Sequence, residues 1–299
     1  MDQAIVFNGH LEKLEEKLNI LPDKKEETPH NTLFALWFAA AGRHISPIMA
    51  EKKDLPHLTS LQLELLESLI THRLADVPLA HLTGRQHFMG MEFIVNKGLY
   101  IPRKETELLA KTAITQILND FSDLPTVKVL DICTGIGTVA LAIASHCKNV
   151  QVYGSDIYTP AIDCAHTNAT HFCLEDRSFF FNADLFDPFE SLSLKNNVHV
   201  VVSAPPYISS PKVKLMAEEI SNHEPKEAFD AGPWGLSIFF KLISTSQDYL
   251  LSGGYLVFEC GQGQSEYLAK RIQLTGQYHH ISEVKDENGH GRVLLAQKI

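Results

Sequence analysis

Short, nearly uninterrupted apolar runs at 127–132, 150–153, 178–181, 198–202 and 255–258, most of them separated by segments of helical periodicity, dictate what this chain can fold into. A strand with one face in water alternates apolar and polar residues, whereas one that is apolar at consecutive positions has to be covered on both faces. Strands of that kind alternating with helices describe an α/β fold, a parallel sheet with crossover helices packed on it. The tail obeys a different rule. There 280–284 and 292–296 flank the turn-rich Asp286-Glu287-Asn288-Gly289, which predicts a hairpin closing the sheet.

The first hundred residues carry a helical period instead. Leu11, Leu14 and Leu18 recur at helical spacing, as do Leu33, Leu36, Trp37 and Ala40 before Gly42. Thr59 and Gln62 form a capping-box pair with Leu58 and Leu63 as a staple, so a third helix is expected, with Leu65, Leu66, Leu69 and Ile70 on its apolar face. Between 88 and 101 the period moves toward alternation, with Gly90 and Gly98 as turn residues, which predicts a β-hairpin. A helix over about 105–118 follows. At 299 residues the chain is at the upper end of what one core organises, roughly 250–300 residues. The expected division is a helical domain over 1–85, a hairpin linker over 86–103 and the α/β domain over 104–299.

Composition narrows the function classes. A formal charge of −10 argues against a protein that grips nucleic acid, because such proteins draw most of their affinity from clustered Lys and Arg on phosphates. Nucleic acid is therefore not expected as a direct substrate. The 5 cysteines, at 133, 147, 164, 173 and 260, form no C-x-x-C pair and are odd in number, so neither a zinc cluster nor a disulfide framework is indicated, and no metal is expected. No window approaches ~18 uninterrupted apolar residues, and the opening Met1-Asp2-Gln3 has no basic stretch before an apolar core. A cytoplasmic protein without a membrane partner is the expectation.

The first strand ends in Asp131-Ile132-Cys133-Thr134-Gly135-Ile136-Gly137-Thr138, leading into an Ala-rich helix. Gly135 and Gly137 allow a tight bend and close approach to a ligand at the carboxyl edge of the sheet, where such folds bind nucleotides. Through Ala140 the loop also satisfies the G-x-G-x-x-A fingerprint of dinucleotide enzymes. Three carboxylates decide between the two. Asp131 would repel a pyrophosphate but suits a cationic amine. Asp156, followed by Ile157 at the end of the second strand, can accept both hydroxyls of a ribose. Asp184, followed by Leu185 after the third strand, can accept an adenine amine. Acid after strands one, two and three matches S-adenosylmethionine, with Thr134 in the same loop.

The fourth strand ends in Ser203-Ala204-Pro205-Pro206-Tyr207. Consecutive prolines contribute no N–H, so the turn offers carbonyl acceptors beside an aromatic face. Such a turn suits a planar, N–H-bearing acceptor whose lone pair faces a sulfonium methyl, and orientation of that kind can supply roughly 7–11 kcal/mol of the barrier.

Together with Pro78-Leu79-Ala80-His81-Leu82-Thr83-Gly84, Phe88-Met89-Gly90, Ile101-Pro102-Arg103-Lys104-Glu105-Thr106-Glu107, Glu224-Pro225, Gly235-Leu236 and Ser252-Gly253-Gly254, these segments make the chain resemble the HemK-like glutamine methyltransferases of release factors and a ribosomal protein, over about 75–299. The resemblance implies a Rossmann-like class I methyltransferase domain behind a helical domain that helps recognise a protein substrate. It also implies a cofactor role for the segment carrying Arg103, substrate contacts from Phe88, Tyr207 and Glu224, and an acceptor amide held by Ala204, Pro205, Pro206 and Tyr207. The family's motif is Asn-Pro-Pro-Tyr, and its asparagine pairs with the substrate amide; Ala204 stands there instead. Losing such a hydrogen-bond partner at a reacting centre costs about 100–1,000-fold in rate. Lys104 replaces the family's proline, and Trp234 stands in its Asp-Gly pair. The leading expectation is an N-methyltransferase whose acceptor nitrogen has changed, on a small molecule or another protein. A true glutamine methyltransferase and an inactive, cofactor-binding regulatory relative are the alternatives.

Overall fold

The computed structural model describes residues 3–299, so Met1 and Asp2 of the opening tripeptide lie outside it. Two compact units divide the chain: one holds the residues up to Arg103 together with Met216–Glu224, the other Lys104–Leu215 and Pro225–Ile299.

Among the described residues of the first unit five helices precede a two-stranded hairpin: α1 Gln3–Lys17, α2 Pro29–Ala40, α3 Pro47–Ala50, α4 Ser60–Leu74, α5 Leu79–Thr83, β1 Arg85–Phe88 and β2 Met91–Ile94. The Thr28 hydroxyl caps α2 ahead of Pro29 at its first position, and Thr59 and Gln62 close the expected capping box on α4. Leu14, Leu33, Leu36, Trp37, Leu66 and Ile70 are buried together. Leu65, expected on the apolar face of α4, is 46% exposed instead. The buried stripe runs through Leu66, Ile70 and Arg73 at i, i+4 and i+7, so a charged residue extends the face and Leu65 falls outside it.

Arg73 is tolerated there because it is paired. Its guanidinium donates to Glu27 at 2.9 Å and to Glu219 at 3.0 Å, and Lys24 also binds Glu219. Two buried cations face two buried carboxylates, and removing any one of them would strand an uncompensated charge. Glu219 lies in 216–224, a segment expected inside the 104–299 domain. This ion quartet, which no local pattern announces, ties it to the first unit. The hairpin is shorter than the 88–101 expected from the alternation; it turns at Met89 and Gly90, both at positive φ, as a two-residue type I′ turn demands.

In the second unit a single 3₁₀ turn, Lys104–Thr106, leads into α6 Glu107–Asp120. Then follow β3 Val127–Ile132, α7 Thr138–His146, β4 Val150–Asp156, α8 Thr159–His171, β5 Ser178–Asn182, β6 Val198–Ser203 and α9 Ser210–Val213. The chain passes through α10 Glu218–Ser221 of the first unit and returns as α11 Ser237–Tyr249, β7 Leu250–Glu259, α12 Ser265–Leu274, β8 Tyr278–Lys285 and β9 Gly291–Lys298. The seven strands stand in the order β5-β4-β3-β6-β7-β9-β8, parallel from β5 to β7, with the expected C-terminal hairpin adding β9 antiparallel. All 6 residues of β6 are buried, which requires cover on both sides of the sheet. Strand order reverses between β3 and β6, and sheets of this kind take ligands at the carboxyl ends of the strands flanking such a switch point.

Candidate active site

At the carboxyl edge the ends of β3, β4 and β6 and the loops after β3 and β5 are bonded to one another. The Thr134 N–H donates to Ser155 O at 3.0 Å, Ser155 Oγ to Leu185 O at 2.5 Å, Ala183 N–H to Asp156 O at 3.0 Å and Ser203 Oγ to Ile132 O at 2.6 Å. The parallel register sets Ile132 beside Ser155 and Ser203, and Asp156 beside Asn182, so the residues ending each strand arrive at one rim.

Asp131 is buried at the end of β3, where its Oδ2 accepts from Thr134 Oγ1 at 2.7 Å and from the Ala140 N–H at 3.1 Å. Burial pushes its carboxyl up to about 7, against the pull of those two donors and with a further push from Asp156. Asp156 is clasped by main-chain donors, Gly135 N–H on Oδ2 and Tyr158 N–H on Oδ1, each at 2.9 Å. Burial raises its carboxyl while these bonds lower it. A carboxylate has about four lone-pair sites, so acceptor capacity is left for ribose hydroxyls. Ile157 is 67% exposed beside it. Asp184 is open to solvent, 3.5 Å from Lys241. Asp156, Asp131 and Asp184 all act electrostatically on the Cys133 thiol, which burial and this negative surround hold well above its usual range. Asp131 and Asp156 are tied to the same loop through Thr134, Ala140 and Gly135, while Asp184 stays in solvent beside Lys241.

The loop's backbone is bent as its glycines require. Gly137 has φ +80°, and a Cβ there would come within 3.0 Å of Phe180 and 3.1 Å of Leu141. Cys133 and Leu185 hold positive φ without being glycine, strain that concentrates at ligand sites. Excess negative charge round a buried carboxylate fits a cationic sulfonium amino acid and opposes a pyrophosphate. With its methyl-donor chemistry, S-adenosylmethionine would be held by Asp131, Asp156 and the Gly135–Gly137 bend.

The 204–207 turn lies at the end of β6, next to β3 in the sheet. Ala204 and Pro206 are partly exposed, Pro205 is buried, and Tyr207 is half-buried. The Ile208 N–H donates to Phe229 O at 3.0 Å and Ala231 N–H to Ile208 O at 2.9 Å, while Asp230 accepts from Ser210 Oγ at 2.6 Å and Gly232 N–H at 2.9 Å. Gly235 stands against the turn, since a Cβ there would lie 2.6 Å from Tyr207 O.

Three predicted residues belong to the first unit. Phe88 is fully buried, edge-to-face with Phe93, so the structure gives it a core role where a substrate contact was expected. Glu224 accepts from Ile101 N–H at 2.9 Å and from Arg103 at 2.6 Å, and Asp23 lies 3.5 Å from the same guanidinium. Sequence reasoning missed Glu259, Gln264 and Arg292, which surround Tyr207. Glu259 could have been found by the signal that singled out Asp131 and Asp156, a lone acid closing an apolar strand ahead of glycines.

A seven-stranded sheet with this order and a carboxylate-rimmed glycine loop define a class I, S-adenosylmethionine-dependent methyltransferase. A family model described as Methyltransferase small domain matches residues 111–227. Release factor glutamine methyltransferase of Thermodesulfovibrio yellowstonii is 32% identical over 246 residues, covering 81% of this chain and 84% of that protein. The protein of the same name from Rhodopirellula baltica is 36% identical over 233 residues, 77% of each. The chain belongs to the release factor glutamine methyltransferase family, the HemK-like enzymes. Among solved structures, the hMettl16 catalytic domain in complex with MAT2A 3'UTR hairpin 6 aligns with a TM-score of 0.54 at 13% identity, over 77% of this chain and 81% of that one, a likeness of fold alone. Among the described residues, no helix is long and apolar enough to cross a membrane.

Proposed function

We propose that this enzyme transfers the methyl of S-adenosylmethionine to a planar, N–H-bearing nitrogen held by the main-chain carbonyls of 204–206 against Tyr207, and that the acceptor has diverged from the glutamine named for its relatives. One observation carries the divergence. Ala204 has no side-chain amide to pair with, and the hydroxyl of Ser203 next to it is buried and donates its proton to Ile132 O at 2.6 Å. A second candidate replacement, Glu224, is engaged by Arg103 and the Ile101 N–H within the first unit. In the cofactor part of this reading, Asp131 takes the amine, Asp156 the ribose hydroxyls and Asp184 the adenine amine, with Ile157 and Leu185 as apolar neighbours and Thr134 orienting Asp131. Arg103 orders the segment leading to that domain.

The acceptor is a protein or a small molecule. Radiolabelled S-adenosylmethionine, incubated with enzyme and size-fractionated cell extract, is expected to label one fraction other than release factor; absence of label from every fraction refutes transfer. A second reading, favoured by the names of the relatives, keeps release factor glutamine as acceptor, with the Ala204 carbonyl holding the amide alone. Mass spectrometry of release factor after treatment separates the two: a methylated glutamine at wild-type turnover overturns the divergence.

A further inference from the structure

Tyr207 is held at two ends by groups the cofactor site does not use. Its carbonyl accepts from Gln264 Nε2 at 3.1 Å, and Gln264 Oε1 accepts from Gly261 N–H at 2.8 Å. Its hydroxyl accepts from Arg292 Nη2 at 3.3 Å, with the guanidinium carbon 5.8 Å from the ring centroid. The same Nη2 lies 3.5 Å from Oε1 of Glu259, a buried carboxylate at the end of β7. Gly261 leaves room for the ring, as a Cβ there would come within 3.1 Å of Tyr207 Cδ2.

The pair is costly to bury. Glu259 Oε2 and Arg292 Nε are buried without a hydrogen-bond partner among the described residues, although Thr106 and Tyr207 also bond the Glu259 carboxylate, and a buried pair of this kind is often no more stabilising than an apolar pair of similar volume. Its position therefore calls for a role beyond stability. Glu259 and Arg292 sit on neighbouring strands, with Glu259 opposite Val293 and Cys260 N–H donating to Arg292 O at 2.8 Å, so the guanidinium is registered to the sheet and not to a loop. A planar cation fastened to the sheet and directed at a phenol restricts the rotation of that ring.

We infer that Glu259 and Arg292 are positioning residues that lock the Tyr207 ring in the plane against which the acceptor nitrogen lies. This rests on the proposed reading of the 204–207 turn as the acceptor site. Glu259 orients Arg292, Arg292 fixes the Tyr207 hydroxyl, and Gln264 fixes the carbonyl of the same residue.

The test begins with protein labelled with 3-fluorotyrosine, with the Tyr207 resonance assigned by its loss in Tyr207→Phe. Glu259→Gln and Arg292→Lys are expected to shift and broaden that ¹⁹F resonance while binding S-adenosylhomocysteine within about twofold of wild type by calorimetry, which also shows that the variants fold. An unmoved resonance in both variants overturns the inference whatever the acceptor is. On the acceptor that wild type labels, or on release factor if that is labelled, Glu259→Gln should lower kcat about tenfold or more. Tyr207→Phe combined with Glu259→Gln should be no slower than the slower single variant. Additive losses, or a kcat loss that vanishes when the assay is cooled, would mark a role in stability only. Wild type that labels nothing refutes the proposed function and leaves the resonance test to decide this one.

Discussion

Lowering the pH from 7.5 to 5.5 should weaken cofactor binding through Asp131, by an amount that follows from where its carboxyl sits. Burial raises that group from 3.8 to about 7 in the ligand-free fold. Because the folded value is raised, ionisation opposes the empty fold, and this contribution to stability falls as pH rises from about 4 through 7. The ammonium of the methionine moiety needs the ionised form, so affinity has the opposite trend and grows with pH. With a midpoint at about 7, roughly three quarters of the sites are ionised at pH 7.5 and about 3% at pH 5.5, a ratio of ~25 in apparent Kd, or about 2 kcal/mol. The amine itself stays mostly protonated over this window, since α-amino groups titrate near ~7.7–8.0. Calorimetry with S-adenosylhomocysteine in two buffers of different ionisation enthalpy measures both the Kd and the proton released on binding, expected near one at pH 6. Asp131→Asn should bind about 10–100-fold more weakly at pH 7.5, the worth of a charge-assisted hydrogen bond, with most of the pH dependence gone. Asp156 and Cys133 lie within electrostatic reach, and this variant separates their titration from that of Asp131. A wild-type Kd that is flat over the window, with no proton released, would refute the assignment of Asp131 to the amine.

Leu66→Ala should destabilise the fold by about 2–5 kcal/mol and Leu65→Ala by under ~0.5 kcal/mol in urea unfolding, since the first empties a buried site and the second trims an exposed one. Gly137→Ala should abolish measurable cofactor binding by calorimetry while the helical signal is retained, because the new methyl meets Phe180 and Leu141 at a positive φ. Iodoacetamide at pH 8 should alkylate exposed Cys173 well before half-buried Cys133, whose thiol is held well above its usual range by desolvation and nearby carboxylates; mass spectrometry of the modified sites reads the order. Ala204→Asn should raise methylation of release factor glutamine about 100–1,000-fold by mass spectrometry, and an unchanged rate would show that residue 204 does not set the acceptor.

The sheet was legible because its signal is local. Continuous apolar runs mark strands covered on both faces, and the acid, glycine bend or Pro-Pro turn that closes such a run marks where the strand ends, so the positions of Asp131, Asp156 and the 204–207 turn at the sheet's carboxyl edge were legible in the sequence. Thr59 and Gln62 act within one helical turn and were equally plain. Partnerships between residues far apart in sequence were not legible. Arg73 could be recognised as a core residue only once Glu27 and Glu219 were seen on either side of it, and Met216–Glu224 joined the first unit only through that pairing. Arg292 comes to Tyr207 because β9 is laid antiparallel on β7, a register decided by the whole sheet. A chain's own pattern determines what must be buried and where the backbone must bend, since both depend on near neighbours. Which charges meet inside depends on distant segments arriving together, and that is decided only when the units have folded.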